Sequence, residues 1–412
     1  MTTWQANRVA NAPTTGSPND GSRQSPARPS TMARTKKVAL VIKCVPPYRY
    51  PVFRALHAST KFATRFIASM PWSWSVPEAR KTLDLIRSRG ITINRSTKHK
   101  GVNVEQKEPV TVPLSLPLDL LRFRPDLIIS GNMGPVSLAS VLTARLMRVP
   151  FVLWTEEIAT TAGEISRIQK ILRRIILPRT NAFLAWGKPA VDYIVSQGFD
   201  PARVHYCAQA IDNDWWIARS RAADRDAIRQ QLGLKGRVFL LTGQLISRKG
   251  FDKLMMAWAK LDPRHQAENA LLVVGSGEDE EKLRQLARDL EIPNIVFTGG
   301  KSHDELPDIY SAADVLVFPS LVDVWGMVVN EGLACGLPVL ASKYAGSSQE
   351  LITSPEYGEQ IDPLDIDSMT ATLGKWMERE LPDAETLRTH VRKINFGVTV
   401  KAFEDVIEQL GS

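Results

Sequence analysis

Two acids and two cations in the second half of this 412-residue sequence have the types and positions to handle a ligand. Asp323 lies in a loop with Trp325 and Gly326, just after the apolar run Asp314-Val-Leu-Val-Phe ends at Pro319. A short β-rich run closed by a breaker reads as a buried strand. Glu331 follows on a helix-like segment that Gly336 and Pro338 stop, and a second apolar strand, Pro338 to Ala341, comes at once. Strand, loop, helix, strand is the parallel β-α-β unit, whose ligands lie beyond the carboxyl ends of the strands. Asp323 and Glu331 therefore stand where a ligand would be; the alternative for Asp323 is a plain helix cap. Upstream, the strand Arg237-Val-Phe-Leu-Leu-Thr runs into Gly243-Gln-Leu-Ile-Ser-Arg-Lys-Gly-Phe and then an amphipathic helix from Asp252 to Lys260. Gly243 permits close backbone approach, and Arg248 and Lys249 stand just before a helix N-terminus, itself an anion site. Two cations there suit a diphosphate, whose charge as a leaving group grows in the transition state. A lone Arg-Lys pair would instead be surface decoration.

Phe318 to Ser342, FPSLVDVWGMVVNEGLACGLPVLAS, resembles the donor-binding signature P-S-x-x-[ED]-x-x-G-x-x-x-x-E-x-x-A-x-G-x-P-V of the group 1 retaining glycosyltransferases, which are built from two Rossmann-like domains (GT-B). Gly243 to Gly250 is similar to the same family's G-x-L-x-x-x-K-G. The resemblance runs over residues 37–410, more closely in the second half. It implies an α/β fold of two doubly wound Rossmann-like domains facing a cleft, and transfer of a sugar from a nucleoside diphosphate donor with retained configuration. It further implies that Glu331 grips the ribose hydroxyls, and that Asp323, where the family usually carries Glu, holds the donor sugar together with the backbone around Gly326, Met327 and Val328. Arg248 and Lys249 take the phosphate-binding places, and Gly299 and Lys301 neighbour the nucleobase. No metal and no cofactor are expected, because the two cations can neutralise the diphosphate. No protein nucleophile is expected either: the departing phosphate oxygen takes the acceptor's proton.

The first half is less explicit. The strand Val38-Ala-Leu-Val-Ile-Lys leads to Cys44-Val-Pro-Pro-Tyr-Arg-Tyr-Pro, which resembles the P-x-Y-R loop of one branch of the family and makes Tyr48 and Arg49 acceptor-side candidates. The alternative is packing of a Pro-rich turn. After the strand Arg124-Pro-Asp-Leu-Ile-Ile-Ser, some family members carry a catalytic histidine; here Ser130, Gly131 and Asn132 stand in its place. Glu156 and Glu157 end the next strand, and Glu156 is the candidate for binding acceptor hydroxyls. Between Met70 and Leu121 no order of elements can be read.

Length suits two domains of about 150 to 200 residues. The expected division is a disordered tail 1–35, an acceptor-side domain 36–212, a linker 213–236, a nucleotide-sugar domain 237–393, and a helix 394–412 crossing back. Net charge is +8, yet residues 1–210 hold 30 Lys and Arg against 12 Asp and Glu. A basic first half faces something anionic. Glu164 to Arg179 reads as a helix with an apolar core stripe and outward Arg167, Lys170, Arg173 and Arg174, which would bind an anionic membrane electrostatically and salt-sensitively. No apolar run approaches the roughly 18 to 20 residues of a membrane span. Cys44, Cys207 and Cys335 lack metal or disulfide spacing, as in a reducing compartment. The expectation is a cytoplasmic enzyme, peripheral on the inner membrane face, with a glycan or lipid-linked acceptor. The alternatives are a sugar-nucleotide epimerase and a non-enzymatic protein that binds anionic surfaces. Nucleic acid is not an expected partner, since no aromatics interleave the basic clusters.

Overall fold

A computed structural model describes residues 34–99, 104–161 and 166–411. The expected tail lies outside them except for Arg34 and Thr35, as do Lys100, Glu164 and Ile165. Short apolar runs alternating with helices give two parallel sheets, because a strand buried on both faces needs helices on each side. The first sheet consists of β1 (Lys36–Ile42), β2 (Phe62–Ala68), β3 (Leu85–Arg87), β6 (Leu127–Gly131), β7 (Phe151–Thr155), β8 (Ala182–Trp186) and β9 (Val204–Cys207), in the order β3-β2-β1-β6-β7-β8-β9. The second consists of β10 (Val238–Thr242), β11 (Ala270–Val274), β12 (Ile295–Phe297), β13 (Val315–Phe318), β14 (Val339–Ser342) and β15 (Gly358–Ile361), in the order β12-β11-β10-β13-β14-β15. Both are doubly wound, as expected. Strand order reverses between β1 and β6 in one sheet and between β10 and β13 in the other. Those reversals open the crevices where ligands of such sheets lie.

The unordered stretch after Met70 contains an antiparallel hairpin, β4 (Gly90–His99) with β5 (Val104–Pro113). Residues 213–236, expected as a linker, form helices Asn213–Ala222 and Arg225–Leu232. Trp216, Ile217 and Leu234 join the core around β10, β13 and β14, so this stretch is built into the second sheet's packing. Its polar composition had concealed the few large apolar residues that anchor it. Helix Phe396–Leu410 packs on the first sheet: Phe403 meets the rings of Trp154 and Trp186, and Thr399 donates to the Ala208 carbonyl at 2.8 Å. Among the described residues no helix is long and apolar enough to cross a membrane.

Candidate active site

The two motifs of the second half meet at that sheet's switch point. From β10 the chain passes Gly243 (φ +142°), enters a tight turn Ser247–Lys249 and, through Gly250 (φ +67°), starts helix Phe251–Ala259. A Cβ on Gly250 would lie 2.2 Å from the Pro319 carbonyl oxygen, and Leu321 donates its N–H to the Arg248 carbonyl at 2.9 Å. These contacts stitch the loop after β10 to the loop after β13. The Lys249 ammonium consequently lies 2.7 Å from Asp323 Oδ2, and the Arg248 guanidinium 3.2 Å from the same oxygen and 2.8 Å from the Val322 carbonyl. Burial alone would raise the Asp323 carboxyl, but Lys249 and Arg248 outweigh it and hold it below its ordinary value.

Asp323 does not cap the helix. Its second oxygen accepts from the Trp325 N–H at 3.4 Å, while helix Val328–Cys335 begins at Met327 without a side-chain cap. Glu331, in the first turn of that helix, accepts from the Tyr310 hydroxyl at 2.6 Å. Burial pushes its carboxyl up to about 7, although Tyr310 and Lys249 pull the other way. Gly326 adopts φ +95°, and a Cβ there would strike the Phe318 ring, so both the backbone angle and the space call for glycine. That brings Met327 and Val328 to the helix start with their N–H groups free of a side-chain cap. Gly299 (φ +73°) and Lys301 follow β12 at the far end of the strand order; Lys301 lies 3.5 Å from Glu305.

The first sheet's switch point holds a cavity of about 560 Å³. Tyr48, Asn132, Trp154, Glu156 and Glu157 line it, and Val324, next to Asp323, closes part of its wall from the other domain. The acceptor-side candidates are thus brought together, with one correction. Arg49 is only 3 % exposed, and its guanidinium stacks 3.2 Å from the Trp186 ring centroid. It donates to Glu156 Oε1 at 2.6 Å and Gln209 Oε1 at 2.9 Å. A guanidinium so engaged has little left to offer an acceptor; it holds Glu156, while Tyr48 stays exposed. Glu157 was not the candidate chosen from the sequence, yet it accepts from Arg173 and leaves its buried Oε2 without a hydrogen-bond partner among the described residues. Nothing in the sequence signals the Arg173 partnership, which spans a strand end and the following helix.

Comparison with known proteins adds the family. The description "Glycosyl transferases group 1" matches residues 224–394, which contain the whole cation–acid cluster. Residues 224–394 are thus similar to the group 1 glycosyl transferases, while the match leaves the first half of the chain outside it. A mannosylfructose-phosphate synthase of Agrobacterium fabrum is 27% identical over 55% of this chain and 52% of its own length. A GDP-mannose-dependent alpha-(1-6)-phosphatidylinositol monomannoside mannosyltransferase of Mycolicibacterium smegmatis is 32% identical over 43% and 48%. The chain thus spans about half the length of these curated relatives. Solved structures share the two-domain GT-B fold: Anabaena HepE in complex with UDP (TM-score 0.71, 15% identity, 91% of this chain and 100% of that one) and the lipopolysaccharide outer core galactosyltransferase WaaB (0.68, 16%, 90% and 99%).

Within the matched region the Asp323 charge is shared by two cations that are largely out of water. Asp323→Asn keeps the shape and removes the charge. The ligand-free variant is expected to lose about 1.5–3 kcal/mol, the scale of a charged hydrogen bond. Part of that should return with saturating nucleoside diphosphate, whose charge replaces the carboxylate, while turnover falls. Thermal unfolding with and without nucleotide checks this, and an unchanged ligand-free midpoint would separate Asp323 from the cations' electrostatics.

Proposed function

We propose that this protein is a group 1 glycosyltransferase that moves a sugar from a nucleoside diphosphate sugar to a glycan or lipid-linked acceptor, with retained anomeric configuration and without a metal ion. The observation that carries this reading is the Lys249–Asp323–Arg248 cluster at the second switch point, with Val324 of the same loop in the wall of the cavity at the first. Donor and acceptor sides thereby share one loop. Relatives named as GDP-mannose-dependent and a fold neighbour holding UDP support a sugar nucleotide as donor. Because those names differ in base, the base stays unassigned.

In the reaction, the bond from C1 to the diphosphate oxygen breaks and the acceptor oxygen bonds C1 on the same face. The acceptor proton passes to the departing phosphate oxygen. Lys249 and Arg248 stabilise the charge that develops on that diphosphate, Asp323 orients the sugar and the cations, and Glu331 receives ribose hydroxyls. Glu156, fixed by Arg49, and Tyr48 receive the acceptor. The chain supplies position and electrostatics, without a nucleophile. The basic first half is read as facing an anionic membrane on the cytoplasmic side, where a lipid-linked acceptor resides.

The test is a panel of sugar nucleotides. The true donor at 100 times its dissociation constant should stabilise the protein by about 2.7 kcal/mol, and the enzyme should hydrolyse it slowly to nucleoside diphosphate when no acceptor is present. Stabilisation by none of the common sugar nucleotides would remove the donor assignment.

A further inference from the structure

Helices Leu116–Phe123, Pro135–Met147 and Arg167–Ile176 lie side by side on one face of the first sheet. Their buried residues, among them Leu116, Leu120, Val141, Ala144, Leu172 and Ile176, belong to a single core cluster. Their opposite sides therefore form one outer surface. That surface carries two exposed aliphatic side chains from each helix: Leu118 and Leu121, Leu142 and Leu146, Ile168 and Ile171, with Leu146 73 % and Ile168 68 % exposed. The hairpin β4–β5 adds exposed Ile91, Ile93 and Val112. Exposed Leu114 joins the hairpin to helix Leu116–Phe123, and among the described residues the other large exposed hydrophobic side chains are Tyr48, Met256 and Leu364. Scattered exposed leucines are ordinary, but a continuous apolar face is not.

Two helices show that this surface is built rather than incidental. In Pro135–Met147 the buried side mixes Ser137, Ser140 and Thr143 with Val141 and Ala144, while the larger Leu142 and Leu146 face out, against the usual pattern of a water-facing helix. The buried hydroxyls are satisfied locally, Ser140 donating to the Val136 carbonyl and Thr143 to that of Ala139. In Arg167–Ile176 the expected arrangement, a core stripe with four outward cations, is corrected. At about 100° per residue, the buried Leu172 and Ile176 fall to one side of the apolar stripe, and the half-buried Gln169 and Arg173 lie beyond them. The helix is thus rotated so that Arg173 reaches Glu157 and the Tyr193 hydroxyl, leaving Ile168 and Ile171 in solvent beside Arg167, Lys170 and Arg174. The three helices hold six Lys and Arg against one acid, Asp119. Apolar knobs edged by cations complement an anionic lipid surface.

We infer that this face docks on an anionic lipid surface by insertion of the six aliphatic side chains, and that a lipid-held acceptor enters the cavity alongside helix Arg167–Ile176. That helix belongs to both surfaces: its outer side carries Ile168 and Ile171, while Gln169 and Leu172 line the cavity and Arg173 holds Glu157 in its wall. The acceptor part of this inference rests on the sugar-transfer reading; the docking part does not. Attachment is then partly apolar, and so less salt-sensitive than the charge pattern alone implies.

The test is co-sedimentation with vesicles of phosphatidylglycerol and phosphatidylcholine. Wild type should pellet at low salt and keep a measurable part of its binding at about 0.5 M salt, where the Debye length is only ~4 Å. Leu118→Asp, Leu146→Asp and Ile168→Asp change exposed residues on three different helices. Each should weaken binding about 10-fold or more, as loss of a buried aliphatic side chain implies, with circular dichroism and donor hydrolysis unchanged. Wild type remaining in the supernatant at low salt overturns the proposal, as does complete release by salt together with variants that bind like wild type. Concentration-dependent self-association abolished by the same variants would also overturn it, assigning the face to a second copy. Vesicle binding without any donor hydrolysis would leave docking in place and remove sugar transfer; hydrolysis without vesicle binding would do the reverse.

Discussion

Lys249→Ala is expected to lower kcat/KM by about 100-fold or more, the cost of removing one donor aimed at charge that develops in the transition state. The Lys249 side chain is 13 % exposed, and its ammonium lies 2.7 Å from Asp323 Oδ2 and 5.0 Å from the Phe318 ring centroid. It is fixed by the turn Ser247–Lys249 and shielded from water, so its interaction with a diphosphate is little screened by salt. Two effects compete in the variant. The lost transition-state contact slows turnover, while the lost partner of Asp323 costs stability, though Arg248 still faces that carboxylate. They separate experimentally: a thermal midpoint within a few degrees of wild type with about 100-fold slower turnover assigns the effect to catalysis. Lys249→Arg should restore charge but not position, since a planar fork does not replace a compact ammonium, and should recover only part of the rate. Turnover near wild type in Lys249→Ala would remove this residue from the site.

The second half was legible because its chemistry sits on locally determined structure. Gly243, Gly250 and Gly326 occupy left-handed backbone that other residues rarely adopt, and the strands around them are short apolar runs. Motif, turn and element therefore coincide in the sequence. The first half was less legible because its decisive contacts are remote. Arg49 reads as a free cation until the fold places Glu156, Gln209 and Trp186 around it. Ile168 and Ile171 read as core because six apolar positions in and just before one short helix suggest a stripe, while the direction of burial depends on where Arg173 finds Glu157. The hairpin β4–β5 escaped for another reason. Its Ile91 and Ile93 alternate with polar residues as a half-buried strand should, but the alternation points apolar side chains outward.

Donor affinity is expected to fall as pH drops below about 7, and Glu331 is the cause. Burial lifts its carboxyl to about 7 in the ligand-free protein, so near neutrality the group is partly protonated. Ribose hydroxyls donate best to the ionised form, so binding draws on a population that shrinks by up to about tenfold per pH unit below that value. A sugar nucleotide is the right probe, because both phosphates are esterified and its charge is constant here, whereas a terminal phosphate itself titrates near pH 6. Stability has the opposite slope. The carboxyl ionises at 4.5 when unfolded and near 7 when folded, so between those values the folded state holds more protons and raising pH favours unfolding. The contribution of Glu331 to stability, read as the difference between wild type and Glu331→Gln, should therefore decline from pH 4.5 to about 7, and donor binding should offset that decline most strongly above 7. Glu331→Gln removes both slopes, weakening donor binding at pH 8 by about 10- to 150-fold, the worth of a charged hydrogen bond, while leaving affinity flat with pH. Calorimetric titration across pH 5.5 to 8.5 decides between outcomes: a wild-type affinity that does not change with pH, or a slope that persists in Glu331→Gln, would place the ribose elsewhere.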